Sequence, residues 1–232
     1  NELAEILHDI RLRRGSIDFD IPEPKITLDE DGVCTDVELY EHKVSHMMIE
    51  EFMLAANETV AETFDGLKVP FVYRVHEAPP ADKQQSFIEY LSTLGIEFKG
   101  GDSRDYSDLL EKVKGTPDER AVSRTALRAM PKAKYMTKDI GHFGLALKHY
   151  CHFTSPIRRY PDLQVHRIIT EFISRSGRGM KKYAAIAENA AERSSVREQT
   201  ALTAERRITD VKKAEYMKSR IGETFDGTVS SV

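Results

Sequence analysis

The chain has 232 residues, of which 40% are hydrophobic and 31% charged, which suits a packed globular core and is too apolar for a disordered tail. Its two cysteines, Cys34 and Cys151, exclude a disulfide framework and point to a reducing compartment, the cytoplasm. No apolar run approaches the roughly 20 residues that a bilayer demands, and no signal-peptide pattern opens the chain, so no membrane partner is expected.

The formal net charge of −4 conceals an asymmetry. Residues 1–66 carry 5 basic and 17 acidic side chains, whereas residues 132–220 carry 19 basic and 9 acidic ones. A basic half can guide a phosphate backbone, although basic helical faces are more often merely solvated.

In chain order, Leu3, Ile6, Leu7 and Ile10 predict a helix over 1–14, stopped by Gly15. Alternation predicts short strands over 16–21 and 25–28, with Pro22 and Pro24 between them. The turn Asp29-Glu30-Asp31-Gly32 then pairs the second strand with 33–39 as a hairpin. A long helical pattern follows over 43–65, then a strand over 71–75 and a helix over 81–94. Two shorter helices fit 105–114 and 118–130, and a short strand fits 133–136. A helix is expected over 162–174, and residues 181–219, which lack Gly and Pro, read as one or two long helices. Thr224–Val232 reads as the first strand of another module. The first residues fall inside an expected helix and the last inside an expected strand, so the chain reads as a piece of a longer protein. Many helices, few strands and no regular βαβ alternation give an α+β (mixed α/β) class, predominantly helical.

The chemistry concentrates in residues 141–167. Four histidines, hydroxyls, aromatics and the pair Arg158-Arg159 crowd a stretch broken by Pro156 and Pro161. The prolines keep the backbone out of regular helix, so amides and side chains can turn to a ligand. Arg158 offers a planar, permanently charged fork for phosphate oxygens, and Thr154 and Ser155 offer hydroxyl donors. The competing reading pairs both arginines with carboxylates such as Asp162, and residue chemistry leaves the two about even.

The string His142-Phe143-Gly144-Leu145-Ala146-Leu147, then Tyr150, His152 through Leu163, and His166-Arg167 resembles the signature of the RNB catalytic domain of the ribonuclease II and ribonuclease R family. Arg14–Glu23 resembles its Arg-Gly-Ala-Ile-Asp hairpin, Ile49–Asn57 its Ile-Glu-Glu helix, and Ala204-Glu205-Arg206 another of its motifs. The form Arg158–Asp162 is nearer ribonuclease R. The resemblance implies a C-terminal RNB part over 1–220, with a central sheet ringed by helices, and the start of an OB-fold RNA-binding domain over 221–232. It implies 3′→5′ processive hydrolysis of single-stranded RNA with a free 3′ end to nucleoside 5′-monophosphates, by a monomer using divalent ions such as Mg²⁺. The four metal-holding aspartates of the family lie upstream of the matched region and are absent from this sequence, so the piece alone is expected to be inactive.

Residue by residue, the resemblance makes Arg158 the catalytic phosphate grip. It gives Glu50 and Glu205 ribose-hydroxyl contacts and Phe19 a base-stacking role. Against these stand ordinary readings: Phe19 as core, Glu50 beside Glu51 as solvated, and Glu205 as surface. His149, His152, Asp162 and His166 could be drawn as a zinc set. The spacing matches no zinc signature and prolines separate the ligands, so no metal site is expected here, and His152 and His166 read as hydrogen-bonded structural residues. A non-catalytic RNA-binding or interaction domain of the same fold is the alternative function.

Overall fold

The structure, a computed structural model, describes residues 1–19 and 23–227. The elements run α1 (Glu2–Arg14), β1 (Pro24–Leu28), β2 (Cys34–Leu39), α2 (Val44–Gly66), β3 (Tyr73–Val75), α3 (Ala81–Thr93), α4 (Ser103–Val113), α5 (Glu119–Ala129), β4 (Lys134–Met136), α6 (Tyr160–Ser174) and α7 (Tyr183–Lys218). The chain is mostly helical with a few short strands. Its chain trace divides into two compact units, residues 1–19 with 43–196, and residues 20–42 with 197–232.

Among the described residues the larger unit has two large apolar centres and a small third one of Leu54, Leu147 and Tyr150. In the first, Phe64 of α2 stacks on Phe71 at 4.7 Å and meets Phe172 of α6 edge-on at 5.5 Å. Val72, Val75, Val165 and Ile168 are fully buried around them. Ala187, Ala190 and Ala191 form the buried stripe of α7, small side chains that let its backbone approach the core closely. The second centre joins α3, α4 and α5 through Phe87, Leu91, Tyr106, Leu109, Val122 and Ala126. Asp102 caps α4 by accepting from the amides of Arg104 and Asp105, which explains why this helix starts before the predicted residue 105.

The predicted strand over 16–21 is not present in its described part: residues 16–19 are irregular, and Asp20, Ile21 and Pro22 lie outside the described residues. The backbone groups there are spent elsewhere. The Ile17 amide donates to Gly144 O at 2.8 Å, and Ser16 O accepts from the Ser107 hydroxyl at 3.1 Å. Gly15 closes α1 at φ 96°, and a Cβ there would sit 2.8 Å from the Arg104 backbone, so the close approach requires glycine.

The smaller unit holds the predicted hairpin. β1 and β2 pair antiparallel, with Lys25 opposite Glu38 in a 3.2 Å ion pair and a bulge beside Leu28. The Cys34 amide donates to Glu215 Oε2 at 3.1 Å, tying the hairpin to the last turns of α7. That helix is continuous over 36 residues, one helix where the sequence allowed two. Among the described residues the strands form two separate two-stranded antiparallel sheets, β1–β2 and β3–β4, rather than the single central sheet that the resemblance implied. The strand predicted over 224–232 is irregular at 224–227, and its remainder lies outside the described residues.

Candidate nucleic-acid interface

Residues 150–159 form an irregular loop leading into α6. Pro156 and Pro161 account for that: the first keeps the loop out of helix, and the second is tolerated in the opening turn of α6, where an amide would lack an acceptor anyway. The loop is held from several sides. Its Tyr150 carbonyl accepts from the Arg74 amide of β3 at 2.9 Å. Asn57 of α2 donates through Nδ2 to the Tyr150 hydroxyl at 3.2 Å and accepts the Phe153 amide on Oδ1 at 3.0 Å. The Cys151 thiol donates to the Asn57 carbonyl at 3.3 Å. From α6, His166 Nε2 meets Phe153 O at 2.8 Å, its ring stacked 4.3 Å from the Phe153 ring, and Asp162 accepts the Ser155 amide at 2.8 Å.

The two arginines, equal candidates by residue chemistry, are separated by their surroundings. Arg159 turns its fork onto Asp162, with Nε 3.0 Å from Oδ2 and a terminal nitrogen 2.8 Å from Oδ1. Asp162 is fully buried and Arg159 only 19% exposed, so this pair serves the fold. The Arg158 side chain is exposed, and its guanidinium makes no hydrogen bond or ion pair among the described residues. Beside it, Ile157 is 100% exposed, at the outer tip of the turn. Thr154 Oγ1 is buried and lacks a hydrogen-bond partner among the described residues, a donor with its capacity unused.

Beneath the loop lies a chain of aromatic and imidazole rings: His76 to His142 at 5.0 Å, His142 to Tyr150 at 5.3 Å, Tyr150 to His152 at 5.7 Å, and His152 to Tyr135 at 5.5 Å. Burial holds His152 neutral, with its pKa pushed down to about 2, and Arg159, Arg74 and Arg158 lower it further. Of these three guanidinium groups, Arg159 is itself paired with the buried Asp162. Burial also lowers His142, to about 3, with His76 and Arg74 adding to the effect, and lowers His76.

These shifts predict an acid-side loss of stability. A histidine held neutral in the fold stabilises it relative to the unfolded chain only above the ordinary pKa of about 6.5, and that advantage disappears as pH falls below 6.5 because only the unfolded chain takes the proton. Between pH 6.5 and 5, His142 and His152 are each expected to cost up to about 2 kcal/mol. Urea unfolding at the two pH values checks this, and His152→Asn should make the dependence shallower.

The other predicted residues take different places. Phe19 is half-buried against the α3–α5 centre, in an irregular segment rather than a strand. Glu50 and Asn57 are seven residues apart on α2, about 10 Å along one helix face. Glu50 is 45% exposed, with Arg11 at 3.8 Å, while its neighbour Glu51 is 3% exposed and locked by Arg11 at 2.8 Å and His8 at 2.9 Å. Glu205 belongs to the smaller unit, exposed on α7 with no partner among the described residues. Asn57 was given no role from the sequence. The signal available was a helix-disfavouring amide inside a largely apolar helical pattern.

The four residues of the zinc alternative go to separate partners: His149 to Asp139 at 2.8 Å, His152 to the Tyr135 hydroxyl at 2.9 Å, His166 to Phe153, and Asp162 to Arg159. Among the described residues one group could gather a cation, namely Asp65, Asp139 and His149, with ligand atoms within 4.8 Å of one another. Asp139 and His149 already satisfy each other, and Asp65 meets Lys68 at 2.9 Å. No described helix is long and apolar enough to cross a membrane.

With this loop in place, the comparisons are specific. The RNB domain profile matches residues 1–175, and the chain belongs to the RNB domain family. Within it the similarity lies with ribonuclease R. The chain is 43% identical over 241 residues to ribonuclease R 1 of Lactococcus lactis, covering 100% of this chain and 29% of that protein. The solved structure of Mycoplasma genitalium RNase R in complex with ribose methylated single-stranded RNA superposes with a TM-score of 0.89 at 31% identity, covering 99% of this chain and 37% of that one. Yeast Ssd1, a pseudonuclease, matches with a TM-score of 0.53 at 25% identity, over 67% of this chain and 21% of that one. The chain spans about a third of the length of the curated relatives it matches.

Proposed function

We propose that this chain is the phosphate-gripping part of a processive 3′→5′ exoribonuclease that hydrolyses single-stranded RNA to nucleoside 5′-monophosphates. The observation that carries the reading is Arg158: a guanidinium exposed and without a partner among the described residues, on a loop held by Asn57 and Asp162. The single-stranded RNA in the Mycoplasma genitalium complex supports the choice of ligand.

In this reading Arg158 holds a phosphate next to the scissile bond and offsets charge that grows on its oxygens in the transition state. The Ser155 hydroxyl donates to the same phosphate, and the buried, unsatisfied Thr154 Oγ1 joins it where the loop opens on binding. Glu50 and Glu205 accept from ribose hydroxyls, which separates RNA from DNA. Phe19 stacks on a base, a contact that tolerates any sequence. Mg²⁺ belongs to the reading through aspartates outside this chain. Residues 221–232 open an OB-fold in the same proposal, and the working assignment is a cytoplasmic monomer acting on a free 3′ end.

Incubated alone with Mg²⁺ and single-stranded RNA, the 232-residue chain is expected to release no 5′-monophosphates, whereas the full-length protein releases them. Hydrolysis by the chain alone would place the metal ligands within it and overturn this division. The resemblance to a pseudonuclease favours one rival, a non-catalytic RNA-binding domain of the same fold. RNA binding by a full-length protein that never releases mononucleotides decides for the rival.

A further inference from the structure

We infer that Asn57 is a positioning residue for Arg158, a buried strut that sets where the phosphate grip stands relative to α2. The inference rests on the phosphate-gripping reading of Arg158 and adds a residue for which that reading needs no role.

Asn57 is fully buried in the middle of α2. A primary amide there is unfavourable for the helix and costly to desolvate, so an apolar residue would serve α2 better if packing were its only task. Instead all three of its contacts go to the loop: Nδ2 to the Tyr150 hydroxyl, Oδ1 from the Phe153 amide, and its carbonyl from the Cys151 thiol. Asp162 holds the next amide but one, that of Ser155, from α6. The amides of Phe153 and Ser155 are therefore pinned by different helices, which defines the path of the backbone only three residues before Arg158. The Ser155 carbonyl then accepts from the amides of Arg158 and Arg159 at 3.3 and 3.0 Å and closes the turn that presents the free guanidinium. The face of α2 that bears Asn57 also bears Glu50, so the strut fixes the phosphate grip against the helix that carries a proposed ribose contact.

The test is a double-mutant cycle in the full-length protein, read as single-turnover kcat and KM on single-stranded RNA. Asn57→Leu keeps the branched four-heavy-atom skeleton and removes both side-chain hydrogen bonds. Its expected result is a kcat loss on the order of 10²-fold, the scale of a misplaced catalytic contact, with KM changed far less. Combined with Arg158→Ala, the same substitution should lower kcat little further, because the strut acts through Arg158. Asn57→Asp should recover most of the rate, since a carboxyl group can accept from the Phe153 amide and still pair with the Tyr150 hydroxyl. Circular dichroism and melting confirm that each variant is folded. Should Asn57→Leu not fold, Tyr150→Phe removes one strut contact and enters the same cycle. A kcat loss that persists in full in the Arg158→Ala background overturns the inference, as does an unimpaired Asn57→Leu beside an impaired Arg158→Ala. Wild-type kcat in Arg158→Ala alone sinks the phosphate-gripping reading itself, and this inference with it.

Discussion

Arg158→Ala in the full-length protein is expected to lower kcat by about 10²–10³-fold, the effect of deleting one preorganised charge donor at a transition state, while RNA affinity falls much less. The asymmetry follows from the surroundings. Many contacts along a strand share the binding energy, whereas the guanidinium is placed where phosphate charge grows during reaction. Its exposure and lack of partners mean that the substitution breaks nothing in the fold, so unfolding stability should stay within about 0.5 kcal/mol of the parent. Arg158→Lys keeps the charge and loses the planar fork, so it should recover only part of the rate. Single-turnover kinetics with binding measured separately decides the matter. Equal loss of rate and affinity would show that Arg158 only anchors substrate.

Asp162→Ala is expected to destabilise the chain by about 3–5 kcal/mol, as when one partner of a buried ion pair is removed. Its carboxylate is fully buried and accepts three hydrogen bonds from Arg159 and one from the Ser155 amide. Alanine leaves a mostly buried guanidinium unpaired and the Ser155 amide without an acceptor. Asp162→Asn retains an acceptor for that amide and should cost less. Urea unfolding of the two variants checks the order, and a change below about 1 kcal/mol for Asp162→Ala would show that water replaces the carboxylate at little cost. Neighbouring positions thus separate by readout: Arg158 in rate and Asp162 in stability.

Most of the helices were legible because local rules decide them. The 3.6-residue recurrence of apolar side chains located α1, α2 and α3 within a few residues, and the absence of Gly and Pro announced α7. The 25–39 hairpin was legible from its turn, Asp29 to Gly32. Over its described residues, 16–19, the predicted strand fails for a non-local reason. Alternation is real there, but Ile17 and Ser16 give their backbone groups to Gly144 and Ser107, distant partners that no local pattern announces. α4 failed by two residues because two aspartates compete for the cap, and Asp102 takes it while Asp105 completes the capping box.

By itself the sequence determined the class of chain and the stretch where its chemistry lies, through the residue types and two prolines between 141 and 167. It could not divide the like-charged pairs. Arg158-Arg159 and Glu50-Glu51 are equivalent on paper, yet in each the second member is drawn into a buried ion pair and the first is left at the surface. For Glu51 only tertiary structure decides this, because Arg11 and His8 lie on another helix; for Arg159 the partner stands three residues on, and it is the burial of Asp162 in the fold that strengthens that pairing over any other. The same holds for Asn57: a polar residue inside a helix is a cost until the fold brings the Phe153 amide and the Tyr150 hydroxyl against it.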